Sequence, residues 1–178
     1  MLEISSSVHV SLAYRLENGA ILGGNWRLEV GVACDFEPAL DAALTELKSL
    51  VDHRCLWTDV DVFKERDSSV PAVAGWLAER LFREYPETTF LTVHENPGHA
   101  VRFERGGATP LTEIQLMNLR IGVRAARVDK TTLTQAVKEA WGRELWGEAL
   151  VRNLSAQVKG LAWVEARQSP ENQIRWTP

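Results

Sequence analysis

Asn25-Trp26-Arg27-Leu28-Glu29-Val30 and Asn118-Leu119-Arg120-Ile121-Gly122-Val123 are two versions of one stretch, set apart by an offset of 93 (118 − 25). In both, apolar residues take every second position, the period of a strand with one buried face. The same offset carries Leu40 and Ala43 onto Leu133 and Ala136 in the helical patterns that follow. Further along the offset falls to 70 (146 − 76). It then sets Trp146 on Trp76 and Leu161-Ala162-Trp163-Val164-Glu165 on Leu91-Thr92-Val93-His94-Glu95. A unit of strands and helices used twice accounts for both matches, the second copy having lost most of a polar loop.

Outward from the first stretch, residues 7–16 alternate, with Val8, Val10 and Leu12 on one face, and lead into the turn Glu17-Asn18-Gly19-Ala20. With residues 25–33 they predict an antiparallel hairpin. Asp35 is a candidate N-cap, and Phe36, Leu40, Leu44, Leu47 and Val51 share one helical face. Residues 52–69 read as a polar loop. A second helix over residues 71–84 has Pro71 in its first turn and buries Val73, Trp76 or Leu77, and Leu81. Strands over 88–95 and 99–104 flank Asn96-Pro97-Gly98. The order strand, strand, helix, helix, strand, strand favours an α+β fold with an antiparallel sheet and helices on one face. The expected units are residues 1–106 and 111–178, packed into one domain, with little room before Asn118 for a complete second hairpin.

A net charge of −4 argues against nucleic acid and membrane surfaces as partners. With no signal peptide or apolar run long enough to span a bilayer, the expected location is the cytoplasm. Cys34 and Cys55 read as free thiols. Phosphate-loop, dinucleotide and nucleophile-elbow patterns are absent, and His9, His53, His94 and His99 lack metal-ligand spacing.

Two places carry possible chemistry. Asp52-His53 pairs a carboxylate with an imidazole, which suits proton transfer near neutral pH; the plainer reading is a helix end closed by a cation. Glu95 ends a strand before the Pro-Gly turn, where a carboxylate can accept two N–H bonds from a heterocycle; the plainer reading is an exposed strand end. Among the seven tryptophans only Trp57, in the polar loop, is a candidate for ligand contact, the others falling on apolar phases.

These residues, taken in order, resemble the 6-pyruvoyl- and 6-carboxytetrahydropterin synthases of the tunnelling-fold (T-fold) superfamily. The resemblance covers about 100 residues and rests on Asn25 to Val30, Asp35-Phe36, Asp52-His53-Arg54-Cys55-Leu56, Ala74-Gly75-Trp76-Leu77 and Val93-His94-Glu95. It implies a T-fold, here as a degenerate tandem repeat. It also implies a zinc ion on three histidines, but those positions read Tyr14 and Leu22-Gly23-Gly24, and the family's catalytic cysteine is missing. The expected cofactor set is therefore none, and no metal ligand is assigned. Asp52 and His53 match the family's Asp-His pair, and Glu95 matches its pterin-anchoring glutamate. Glu165 stands for Glu95 in the second copy, with a structural role.

What the resemblance implies is a divergent enzyme binding a pterin- or purine-like heterocycle, or a similar small polar molecule, at Glu95 and Trp57. His53, supported by Asp52, would move protons in a metal-free lyase, cyclase or isomerase-type step, and Tyr14 would supply an acidic hydroxyl or simply fill the vacated ligand position. A non-catalytic module for a ligand or protein partner is the alternative. A third reading is an unusual metal site using His9, His53 or His94. T-fold sheets close through subunit association, so a homo-oligomer is expected, with sites at subunit or repeat interfaces.

Overall fold

The computed structural model describes residues 3–33, 37–64, 66–116, 119–125, 127–145, 147–169 and 172–178. The chain divides into two compact units, Met1–Ala108 and Thr109–Pro178. In the first, β1 (Glu3–Arg15) and β2 (Ile21–Ala33) pair antiparallel from Glu3↔Ala33 to Arg15↔Ile21. Gly19 turns the chain at φ 83°, a conformation that costs glycine little because it has no Cβ. Both strands start four residues earlier than the apolar alternation predicts. Ser5, Ser6 and Ser7 are exposed, yet their backbone is held by β2, and ladder pairing needs no apolar side chain.

Next come α1 (Glu37–Val51), β3 (Arg54–Cys55), α2 (Leu56–Asp59), a 3-10 turn at Asp61–Phe63, α3 (Val70–Glu84), β4 (Thr88–Asn96) and β5 (His99–Glu104). The strand order is β3-β1-β2-β4-β5, antiparallel except that β3 runs parallel to β1. Leu40, Leu44, Leu47 and Val51 of α1 and Val73, Leu77 and Leu81 of α3 are buried in one cluster with Val10, Leu12, Leu28, Val30, Leu91 and Val93. The helices thus cover one face of the sheet. Residues 52–69 are more than the polar loop expected, because Leu56, Phe63 and Ser68 are buried there. Single apolar residues without helix or strand period gave no sign of this. The Phe63 ring meets Trp76 edge-on at 5.4 Å, while Leu77, not Trp76, is fully buried.

The second unit follows the same order without β3 and α2: β6 (Leu111–Leu116), β7 (Leu119–Arg124), α4 (Lys130–Gly142), α5 (Gly147–Gln157), β8 (Leu161–Ser169) and β9 (Asn172–Trp176). Its strands pair antiparallel in chain order. Despite the little room before Asn118, β6 supplies six residues to the first hairpin. Asp129 caps α4 by accepting from the N–H groups of Thr131 and Thr132. Leu133, Ala136, Val137 and Ala140 of α4 pack with Leu119, Ile121, Val123 and Val164. Cys34, Asp35, Phe36, Asn118 and Trp146 lie outside the described residues.

One local device occurs in both units. Gly31 opposes Phe90, followed by a bulge before Val32; Gly122 opposes Trp163, followed by a bulge before Val123. A Cβ on either glycine would overlap the facing ring. Arg102 lies 3.6 Å above the Phe90 ring and Arg175 lies 4.2 Å above the Trp163 ring. Among the described residues no helix is long and apolar enough to cross a membrane.

Candidate functional site

On the β4–β5 ladder His94 pairs with Ala100 and Asn96 with His99, so Glu95 is the extra residue of a bulge. A bulge re-aims the side chain it carries, and such kinks recur beside functional sites. Here the Tyr14 hydroxyl donates to Glu95 Oε1 at 2.5 Å, and His99 Nδ1 lies 2.8 Å from Glu95 Oε2. An ionised carboxylate only accepts, so Nδ1 is the nitrogen of His99 that carries hydrogen in this bond. Tyr14, 4% exposed, comes from β1, and its ring lies 4.9 Å from Trp26 on β2. Burial first, then the bond to Glu95 and its charge, push the Tyr14 phenol well above the ordinary tyrosine range. That direction runs against an acidic hydroxyl and makes Tyr14 a donor.

Between Tyr14 and Trp26 lies Gly24, where a Cβ would fall 3.1 Å from Trp26 Nε1 and 3.7 Å from Tyr14 Cε1. The two rings thus occupy the space beside the glycine. The buried Trp26 Nε1 has no hydrogen-bond partner among the described residues.

The second candidate sits on the other edge of β1. Ser11 N–H donates to Asp52 Oδ1 at 2.8 Å, and His53 N–H donates to the Ser11 carbonyl at 2.6 Å. These bonds pin the dipeptide to β1 as α1 ends, with His53 in the left-handed region at φ 55°. A non-glycine residue held there carries backbone strain. His53 Nδ1 is 3.2 Å from Asp52 Oδ1, and Lys48 Nζ is 3.7 Å from Oδ2. The Ser11 N–H, more than the His53 and Lys48 charges, holds the Asp52 carboxyl below its usual range. The imidazole itself is open to solvent, with 82% of its side chain exposed.

The structure does not bring the two candidates together within one chain. With the order β3-β1-β2-β4, three strand spacings of roughly 4.8 Å, or ~14 Å in all, separate the His53 edge from the strand that carries Glu95. Half-buried Trp57 lies in α2, which packs on β1 on the His53 side. His94 takes the opposite face of the sheet, 3.2 Å from Glu29 Oε2 and 3.0 Å from Arg27 Nη2. Among the described residues no three His, Cys, Asp or Glu side chains converge on a point where a metal ion would bind. Cys55 is an exposed free thiol. His99 is the residue that sequence reasoning set aside. Its signal was position, four residues after Glu95 across a tight turn.

In the second unit Arg167 pairs with Gln173 and Ser169 with Asn172, so Gln168 is the bulge residue. Gln168, rather than Glu165, therefore stands where Glu95 stands. Glu165 lies inside the ladder opposite Arg120 and Arg175, accepting from Arg120 Nη1 at 3.1 Å and Arg175 Nη2 at 2.7 Å. Burial works against its charge, but the hydrogen bond from Arg175 and the Arg120 charge outweigh it and hold the carboxyl below its usual range.

No protein-family model and no curated protein sequence matches the chain. Among solved structures it is similar to the 6-pyruvoyl tetrahydropterin synthase of Caenorhabditis elegans, with 20% identity and a TM-score of 0.51 over 58% of this chain and 94% of that one. At that identity the likeness is one of fold: the chain shares the α+β arrangement of sheet and helices found in that tetrahydropterin synthase.

Proposed function

We propose that the first unit is a divergent T-fold site that holds a pterin- or purine-like heterocycle, or a comparably small polar molecule, through Glu95. The observation that carries this reading is the bulge at Glu95, with one carboxylate oxygen met by Tyr14 and the other by His99. Fixing a carboxylate from both sides prepares it to accept adjacent N–H groups, the pairing a planar nitrogen heterocycle offers. The family's zinc does not fit here. Tyr14 is a buried phenol that keeps its proton, and Leu22, Gly23 and Gly24 offer no side-chain donor. The chemistry we assign is metal-free acid–base transfer of the lyase, cyclase or isomerase type, with Asp52-orientated His53 as the proton-transfer group.

The separation of His53 from Glu95 shapes the rest of the reading. In a homo-oligomer, the exposed His53 of one copy serves a ligand held by Glu95 of another. If the protein is a monomer of 19.9 kDa in light scattering, the reading becomes ligand binding without this proton transfer. We further propose that the second unit is a shortened copy of the first that keeps the hairpin bulge and the glycine–aromatic pair and has no ligand-binding role.

A thermal-shift screen of pterins and purines, with Glu95→Gln alongside, tests the anchor. A ligand at about 100 times its Kd adds roughly 2.7 kcal/mol, or about 5–10 °C for a chain of this length. A shift that Glu95→Gln abolishes supports the reading, whereas no shift with any heterocycle refutes the heterocycle as its ligand. His53→Ala should leave that shift intact and abolish turnover of the ligand so found.

A further inference from the structure

Within one chain, the imidazole that touches Glu95 is His99, not His53. It reaches back across the Asn96-Pro97-Gly98 turn, its side chain 13% exposed against 21% for Glu95. The bulge makes this contact. Without the extra residue, the β4–β5 ladder would continue in register and Glu95 would lie in a plain cross-strand pair. A carboxylate turns about its terminal torsion in a broad, two-fold well, so a single bond at one oxygen leaves its plane loosely set. Tyr14 at Oε1 and His99 at Oε2 together fix that plane.

We infer that His99 is a positioning residue for the Glu95 site, fixing the carboxylate plane so that the site selects ligands with two adjacent N–H donors over ligands with one. The inference rests on Glu95 as the ligand anchor. Two parallel N–H···O bonds demand coplanarity of ligand edge and carboxylate, whereas a single bond tolerates rotation. His99 therefore sets selectivity as well as affinity. Its Nδ1 does the work, and the replacement that preserves the function is one that puts an N–H at the same place. His99→Asn does so with its amide nitrogen; His99→Leu keeps the bulk and removes the donor.

The test is calorimetric titration with pterin, whose edge carries a ring N–H beside an amino group, and with lumazine, where an oxygen replaces that amino group. Wild type, Glu95→Gln, His99→Leu and His99→Asn are compared, with circular dichroism and melting temperature recorded for each. The expected result is pterin preference in wild type. His99→Leu weakens pterin about tenfold and brings the pterin-to-lumazine ratio close to one, and His99→Asn restores both to within about threefold, as loss and return of one charge-assisted bond require. A side chain that merely fills space would not be rescued by the smaller amide. Should His99→Leu fail to fold, His99→Gln takes its place, since its amide nitrogen reaches the position of Nε2 and cannot replace Nδ1. Wild-type affinity and ratio in His99→Leu or His99→Gln, with binding lost in Glu95→Gln, would overturn the inference and leave the anchor standing. If Glu95→Gln binds like wild type, or wild type binds neither probe, the anchor fails and the inference with it.

Discussion

The two closing hairpins, Thr88 to Glu104 and Leu161 to Trp176, share a backbone plan and differ in what surrounds their carboxylates. Each puts an arginine over an aromatic ring that faces a glycine, and each has a bulge just before its turn. In the first, the carboxylate stands on the bulge and meets a phenol and an imidazole. In the second, the buried carboxylate of Glu165 stands inside the ladder and meets two guanidinium groups, while Arg120 also bonds Glu113 at 2.6 Å. A buried carboxylate held by two guanidinium groups is a strut, because a ligand that took its hydrogen bonds would have to break both pairs. A carboxylate between a phenol and an imidazole is the arrangement we propose for holding a ligand. The difference between strut and site lies in the partners seen: two guanidinium groups at Glu165, a phenol and an imidazole at Glu95.

Stability measurements can break this contrast. Glu165→Ala should lower unfolding free energy by about 3 kcal/mol, the low end for breaking a buried ion pair, because Arg120 and Arg175 are partly exposed and regain water. Glu95→Gln should cost less than about 1 kcal/mol, because the amide oxygen still accepts from the Tyr14 hydroxyl. Urea unfolding followed by circular dichroism gives both numbers. Equal losses would mean that Glu95 too is a strut, and the proposed site would lose its basis.

Much of this contrast lay in the sequence but in the wrong register. Matched on the glycine–aromatic pairs, β7 falls on β2 with an offset of 91 (122 − 31), two short of the 93 read from Asn25 and Asn118. A strand repeats every two residues, so a slip of two leaves every side chain on its proper face and the alternation cannot detect it. Matching the ring, bulge and arginine positions of the closing hairpins gives an offset of 73 (163 − 90; 168 − 95; 175 − 102), where setting Trp146 on Trp76 gave 70. A slip of three does reverse the faces. Anchoring on Asn96-Pro97 with Ser169-Pro170, and on Arg102-Phe103 with Arg175-Trp176, would have exposed it. The helices were legible because their apolar faces span several turns. Leu56 and Phe63 were not, because isolated buried residues carry no period.

The shared device gives a second, smaller test. Gly31→Ala and Gly122→Ala each place a methyl group into the facing ring and should each cost about 1–3 kcal/mol. Adding Phe90→Leu to Gly31→Ala should recover part of the loss, a coupling of about 0.5–3 kcal/mol in a double-mutant cycle. If Gly122→Ala is harmless while Gly31→Ala is not, the two hairpins are alike in outline only, and the second unit is not held by the same contact.

The smallest effect is also the most specific to the site. The chain has two tyrosines, so Tyr85→Phe leaves Tyr14 as the only phenol, and its ionisation can be followed by phenolate absorbance. Tyr14 should ionise well above the ordinary value of about 10, and Glu95→Gln should bring it part of the way back. The return is partial because burial is the largest cause of the shift and Glu95 supplies the rest. Stability follows with a fixed sign. The unfolded chain releases the phenolic proton near pH 10 while the native chain holds it, so the contribution is complete below that pH and is lost as pH rises above it. Glu95→Gln should therefore flatten the alkaline loss of stability. The second unit has no tyrosine, and Glu165→Gln should leave the titration unchanged. A Tyr14 phenol that ionises like a free one, or that ignores Glu95→Gln, would mean that the bond joining β1 to the bulge does not form in solution. The carboxylate would then keep its His99 contact and lose the one to Tyr14.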